Sequence, residues 1–181
     1  METVIAILRG INVSGKNKIP MVELKALFEK AGFNNVMTYI QSGNVVFQSN
    51  EKASKKLEEK ISQMILKKWK YNVPVIVRNS NEMQTVVDSN PFLKMKGIDL
   101  EKLHVTFLSE IPAKENLEKI KQYSYSPDEF IIENREVFLS CPGGYGNTKL
   151  SNAFFESKLK VTATTRNWRT VNELLRLSKS L

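Results

Sequence analysis

The order in which the apolar pattern changes period limits the possible folds most sharply. "ETVIAILRG" is a continuous apolar run and predicts a buried strand from about Thr3 to Arg9. In "PMVELKALFEKAGF", Val22, Leu24, Leu27, Phe28 and Ala31 form one helical stripe, opened by Pro20 and closed by Gly32. "NVMTYIQSGNVVFQS" predicts a hairpin, with strands Val36–Gln41 and Asn44–Gln48 and a turn at Ser42-Gly43. A long helix follows from about Glu51 to Lys70, with Ala53, Leu57, Ile61, Met64, Ile65 and Trp69 on one face. "VPVIVRN" is the closing strand, and Pro74 near its start suits a sheet edge. The order β-α-β-β-α-β is that of the ferredoxin-like unit, a mostly antiparallel sheet with both helices on one face.

The second half nearly repeats this order. "KLHVTFLSE" reads as a strand, "IPAKENLEKIKQYS" as a helix, "DEFIIENREVFLSC" as a hairpin turning at Asn134-Arg135, and "TKLSNAFFESKLK" as a helix. A final strand is not evident, and a terminal helix from about Thr165 is expected in its place. The fold class is therefore α+β: two ferredoxin-like-related βαββα(β) halves with mostly antiparallel sheets and a C-terminal helix. The expected organisation is a subdomain over 1–80, a connector with a short helix over 81–101, and a second subdomain with the terminal helix over 102–181.

Charge and cysteine content narrow the chemistry. Across 181 residues, 27 Lys and Arg face 19 Asp and Glu, a net charge of +8. That balance favours anionic partners, either a small molecule or nucleic acid. One cysteine, Cys141, forbids an intrachain disulfide and fits a reducing, cytoplasmic location. One His and one Cys provide no zinc site, and no metal or cofactor is expected. No apolar run approaches the roughly 18 residues of a membrane span, so no membrane partner is expected.

"RGINVSGKNKIP" matches the first seven positions of a phosphate-binding P-loop at Gly10, Gly15 and Lys16, but Asn17 stands where Ser or Thr should ligate Mg²⁺. A helix cannot begin before Ile19-Pro20, because the residue before proline is pushed out of the α region. Lys16 therefore lies on the loop rather than at a helix start, and a nucleotide-hydrolysing P-loop is not expected. The loop still offers Arg9, Lys16 and Lys18 beside exposed backbone donors, with Asn12 among them.

Three further stretches carry polar groups at tight turns or helix entries. "QSGN" places Gln41, Ser42 and Asn44 at the hairpin, where turn chemistry alone accounts for the residue types. "CPGGYGNTKLS" is glycine-rich and is expected to enter a helix through Asn147, Thr148 and Lys149. "TTRNWRT" is expected to begin the terminal helix, with Thr164 or Thr165 as N-cap and with Arg166, Asn167 and Arg169 in its first turn. Cations there are unfavourable by roughly 0.3–1 kcal/mol each unless an anion compensates. That anion is either a carboxylate of the same chain or a bound ligand. Trp168 shares its side of the helix with Val171, Leu174 and Leu175 and reads as core. His104, in an alternating strand, and Cys141, without a second His or an acid in view, read as structural.

"LRGINVSGKNKIPM", "YIQSGNVVF", "PGGYGNTKLS" and "TTRNWRTV" together resemble the bacterial domain-of-unknown-function 1697 family, in order, from Ile7 to about Leu175. The resemblance implies two small α+β subdomains and a cytoplasmic bacterial protein, and it implies no activity. Gly144, Gly146 and Lys149 fit the family's pattern, whereas Asn147 departs from the basic residue often found there.

From the residues themselves, the expected function is binding of a phosphate- or carboxylate-bearing ligand. Arg9, Lys16, Lys149, Arg166 and Arg169 are the anion-binding candidates, and Asn12, Gln41, Ser42, Asn44, Thr148 and Asn167 the supporting polar groups. Such a ligand could be a nucleotide or part of a nucleic acid. The alternatives are a small enzyme acting on an anionic metabolite and a homo-oligomeric interaction protein without catalysis.

Overall fold

The computed structural model describes residues 1–181. The chain divides into two compact units, residues 1–84 with 173–181, and residues 85–172.

In the first unit, β1 (Glu2–Leu8), α1 (Met21–Lys30), β2 (Asn34–Tyr39), β3 (Asn44–Ser49), α2 (Ser54–Trp69) and β4 (Val75–Asn79) follow one another. The sheet order is β2-β3-β1-β4, and every neighbouring pair is antiparallel. β1 is the continuous apolar run: its central position pairs both of its edges, and its consecutive residues Val4–Leu8 are all buried. Its alternate residues Val4, Ala6 and Leu8 join Leu24 and Phe28 of α1 and Leu57, Ile61 and Ile65 of α2 in one core. Phe28, Phe33 and Phe47 pack there with ring centroids 4.5–5.5 Å apart, a spacing that favours tilted and edge-on aromatic contacts. α3 (Ser80–Ser89) follows β4 and is longer than the short helix expected before Pro91.

In the second unit, β5 (Leu103–Leu108), α4 (Lys114–Ile120), β6 (Glu129–Glu133), β7 (Glu136–Ser140), α5 (Asn152–Leu159) and β8 (Ala163–Asn167) repeat the order. The sheet order β6-β7-β5-β8 is the same and again wholly antiparallel. Leu108, Val137, Leu139, Phe155 and Leu159 form its core with Cys141. The last helix is α6 (Trp168–Lys179).

Two local expectations are corrected. The fourth strand of the second half, not evident in the sequence, is β8, and α6 begins at Trp168 rather than near Thr165. Edge pairing with β5, Thr106 opposite Thr165 and Val105 opposite Arg166, holds this stretch extended. The N-cap is therefore Asn167, whose Oδ1 accepts from Thr170 N–H at 2.8 Å. Likewise α5 starts at Asn152 under a Ser151 cap, so the glycine-rich loop forms a short 3-10 turn at Tyr145–Asn147 before reaching the helix.

The two closing strands are equivalent in detail. Arg78 pairs with Ile5 and Arg166 with Val105, while Asn79 pairs with Val4 and Asn167 with His104. Each arginine donates through Nη1 to the carbonyl of the residue before it at 2.9 Å. Each asparagine caps the helix that follows.

Candidate anion site

The β1–α1 loop is a small hairpin rather than a phosphate cradle. Val13 pairs with Lys16, and Lys16 N–H donates to the Val13 carbonyl at 2.9 Å. Ser14 and Gly15 sit between them at φ 48° and 76°, the left-handed pair of a type I′ turn. Lys16 N–H is thus consumed inside the turn, and α1 starts only at Met21. The P-loop match is accidental. The Lys16 side chain remains exposed, and Arg9 is half-buried.

Asn12 ties this loop down. Its Oδ1 accepts from Ile19 N–H at 2.8 Å, and its Nδ2 donates to the carbonyls of Ile19 at 3.0 Å and Gln41 at 2.9 Å. Gly43 completes the junction. Leu8 N–H donates to its carbonyl at 2.8 Å, and a Cβ at Gly43 would stand 2.6 Å from Ile11 Cδ1. Asn44 is fully buried and donates to the Tyr39 carbonyl and the Ser42 hydroxyl. Asn12, Ser42 and Asn44 therefore spend their polar groups inside the first unit. Gln41 is exposed and contributes its backbone carbonyl to the tie.

In the second unit, the Thr148 hydroxyl accepts from Leu150 N–H at 3.1 Å. The Lys149 ammonium lies 5.5 Å from the centre of the Tyr125 ring. Cys141 is buried, and burial pushes its thiol up despite a hydrogen bond to Thr148; a thiol so held is a poor nucleophile. Arg166 is 8% exposed, on β8 rather than in a helical turn. It donates to the Thr164 hydroxyl at 3.0 Å and the Thr165 carbonyl at 2.9 Å. Burial lowers its pKa to about 10, partly offset by Tyr145, so the guanidinium stays charged at neutral pH.

At the junction of β8 with α6, a hollow of about 210 Å³ is lined by Leu100, Glu101, His104, Asn167, Trp168 and Arg169. It brings together Arg169 and Asn167, both singled out as site residues, with His104. Arg169 is exposed and enters none of the chain's ion pairs. His104 is half-buried and stacks on Tyr145, with ring centroids 4.8 Å apart. Its Nδ1 lies 3.3 Å from the Lys102 carbonyl. A carbonyl only accepts, so Nδ1 carries the proton of the neutral ring and Nε2 keeps its lone pair. Burial holds the imidazole below its ordinary pKa. The nearby Lys102 charge adds to that effect, and the Nδ1 hydrogen bond opposes it. The ring is therefore neutral at pH 7. Sequence reasoning missed Leu100, Glu101 and Tyr145, whose places depend on chain contacts that leave no periodic trace.

The chain matches, over residues 1–138, the family described as "Protein of unknown function (DUF1697)". No curated protein matches it. Among solved structures it is similar to the conserved bacterial protein SP0830 from Streptococcus pneumoniae, at 21% identity over 99% of both chains and a TM-score of 0.75. That likeness is one of fold. No helix is long and apolar enough to cross a membrane.

Proposed function

For this chain, which belongs to the DUF1697 family of unknown function, we propose binding of a small phosphate- or carboxylate-bearing ligand in the hollow at the start of α6. Arg169 carries this reading: it is an exposed guanidinium in a first helical turn, outside every ion pair of the chain. The free N–H groups of that turn already favour negative charge. The planar guanidinium adds a bidentate donor for carboxylate or phosphate. A volume of about 210 Å³ is that of about seven waters at roughly 30 Å³ each. This suits an anionic head group, with any larger substituent projecting from the hollow.

Calorimetric titration with inorganic phosphate, citrate and AMP tests the proposal. Arg169→Ala should weaken binding at least tenfold and leave the melting temperature within about 2 °C, the size of a surface change. Unchanged affinity in that variant would dismiss the site. An equal loss in Arg9→Ala, Lys16→Ala or Lys149→Ala would extend the site to those cations.

His104 supplies a pH signature, and it is the one histidine, so its proton resonances are unambiguous. Its folded pKa lies below the ordinary value of 6.5. The unfolded chain therefore takes up this proton more readily. The stability that His104 contributes is complete above about pH 6.5 and declines as pH falls toward the folded midpoint. A bound anion favours the imidazolium, so phosphate should raise the NMR midpoint of His104. An unmoved midpoint at saturating phosphate would place the anion elsewhere. The same neutral ring favours a second reading, in which Nε2 accepts a proton from an anionic substrate. In that case His104→Gln would keep binding and abolish turnover.

A further inference from the structure

The basic excess of the chain is not shared evenly. Residues 1–84 with 173–181 hold 15 Lys and Arg against 8 Asp and Glu, a balance of +7. Residues 85–172 hold 12 against 11, a balance of +1. Of the first unit's excess, +3 lies on α2, with five Lys against two Glu, whereas α1 is balanced at two Lys against two Glu. Where α4 and α5 of the second unit pack on each other, α1 and α2 leave a groove of about 550 Å³. Its floor is apolar, built from Ala26 and Leu27 of α1, Ala31 at the C-cap of that helix, and Met64 of α2, and its rim carries Lys30, Lys67 and Lys68. A second hollow of about 530 Å³ shares Met64 and Lys67 and continues along α2 from Lys60 to Lys70. Lys68 pairs with Glu23 at 3.0 Å, whereas Lys30 and Lys67 enter no ion pair.

We propose that this groove receives an acidic amphipathic helix of a partner protein. The apolar floor lies between two helices, and a third helix can lay an apolar stripe into such a space. The run from Lys60 to Lys70 spans about 15 Å at 1.5 Å per residue, enough for about three turns of the incoming helix. The lysine rim selects glutamate and aspartate on the flanks of that stripe and disfavours a basic helix. No aromatic side chain lines the floor, so the base-stacking platform used to hold single-stranded nucleic acid is missing. Between α1 and α2 the surface is a groove, unlike the convex apolar face that enters a lipid interface.

The test uses two stapled helical peptides of about 14 residues, roughly 21 Å long. Both carry the same leucine stripe, flanked by glutamates in one and by lysines in the other. Calorimetry should show binding of the glutamate peptide and none of the lysine peptide. Met64→Glu should weaken the glutamate peptide at least tenfold. The double variant Lys30→Glu/Lys67→Glu, whose sites are exposed and keep the core intact, should reverse the preference toward the lysine peptide. Failure of the glutamate peptide to bind would overturn the proposal. So would binding indifferent to both variants, which is diffuse attraction to a basic surface. Binding of phosphatidylglycerol vesicles with the same sensitivity to Met64→Glu, without peptide binding, would assign the groove to lipid and overturn it as well.

Discussion

Gly43→Ala is expected to destabilise the protein by about 2–5 kcal/mol, lowering the melting temperature by roughly 5–20 °C at about 2–4 °C per kcal/mol. Two costs add. The residue sits at φ +82°, where an L side chain costs roughly 1–2 kcal/mol. The new Cβ would also stand 2.6 Å from Ile11 Cδ1, 2.7 Å from Ile11 Cγ1 and 3.0 Å from Leu8 Cβ. Ile11 is 1% exposed and has no open space into which to swing, and overfilling a packed core costs about 1–3 kcal/mol. Gly10→Ala is the control: φ is +70°, but nothing lies within 4 Å of the added atom, so only the conformational cost applies. In an Ile11→Ala background the Gly43→Ala penalty should shrink by at least 1 kcal/mol, a coupling a double-mutant cycle reads directly. Additive penalties would show that the close approach to Ile11 is not the cause.

The second large effect is at Asn12. Asn12→Ala removes one acceptor and two donor contacts that join the β1–α1 loop to Ile19 and to the Gln41 carbonyl. At about 0.5–1.5 kcal/mol net for each bond, the loss is about 2–4 kcal/mol. It also forces alanine into the φ 54° that asparagine tolerates. Asn12→Asp separates the parts. It keeps the acceptor for Ile19 N–H and loses both donations, so it should recover no more than about a third of the difference. Chemical denaturation of the three proteins measures this. An Asn12→Ala variant as stable as the parent would remove Asn12 from the structural account and return its amide to the candidate ligand groups.

These residues also show what was legible in the sequence. β1, the α1 stripe and both hairpins follow from periodicity and turn chemistry, because burial of one face imposes those patterns directly. β8 was not legible as a strand. Thr164 and Thr165 are as good at capping helices as at lining strands, and the edge position leaves "ATTRN" without a clear alternation. The signal that would have found it is the likeness of "VIVRN" to "ATTRN", the same arginine-asparagine pair at the same register in both sheets. Of the candidate site, Arg169 and Asn167 were visible as polar residues at a helix entry. The neighbouring His104 was seen only as a strand residue, since its stacking on Tyr145 joins positions 41 residues apart. The glycine-rich loop misled for a related reason: the helix is entered at its Ser151 cap and not through Asn147, Thr148 and Lys149.

The first compact unit is discontinuous along the chain, and this has a consequence during synthesis. Residues 173–181 belong with residues 1–84, joined there by the contact of Ser80 with Ser178 at 2.9 Å and by Gln48 donating to the Leu181 carbonyl at 3.0 Å. A ribosome elongating at about 5–20 residues per second finishes the tail roughly 5–20 s after passing Gln84. Throughout that interval the leading sheet can form, but its closing segment does not yet exist. Folding of the first unit started is therefore completed only after the whole of the second unit has been made.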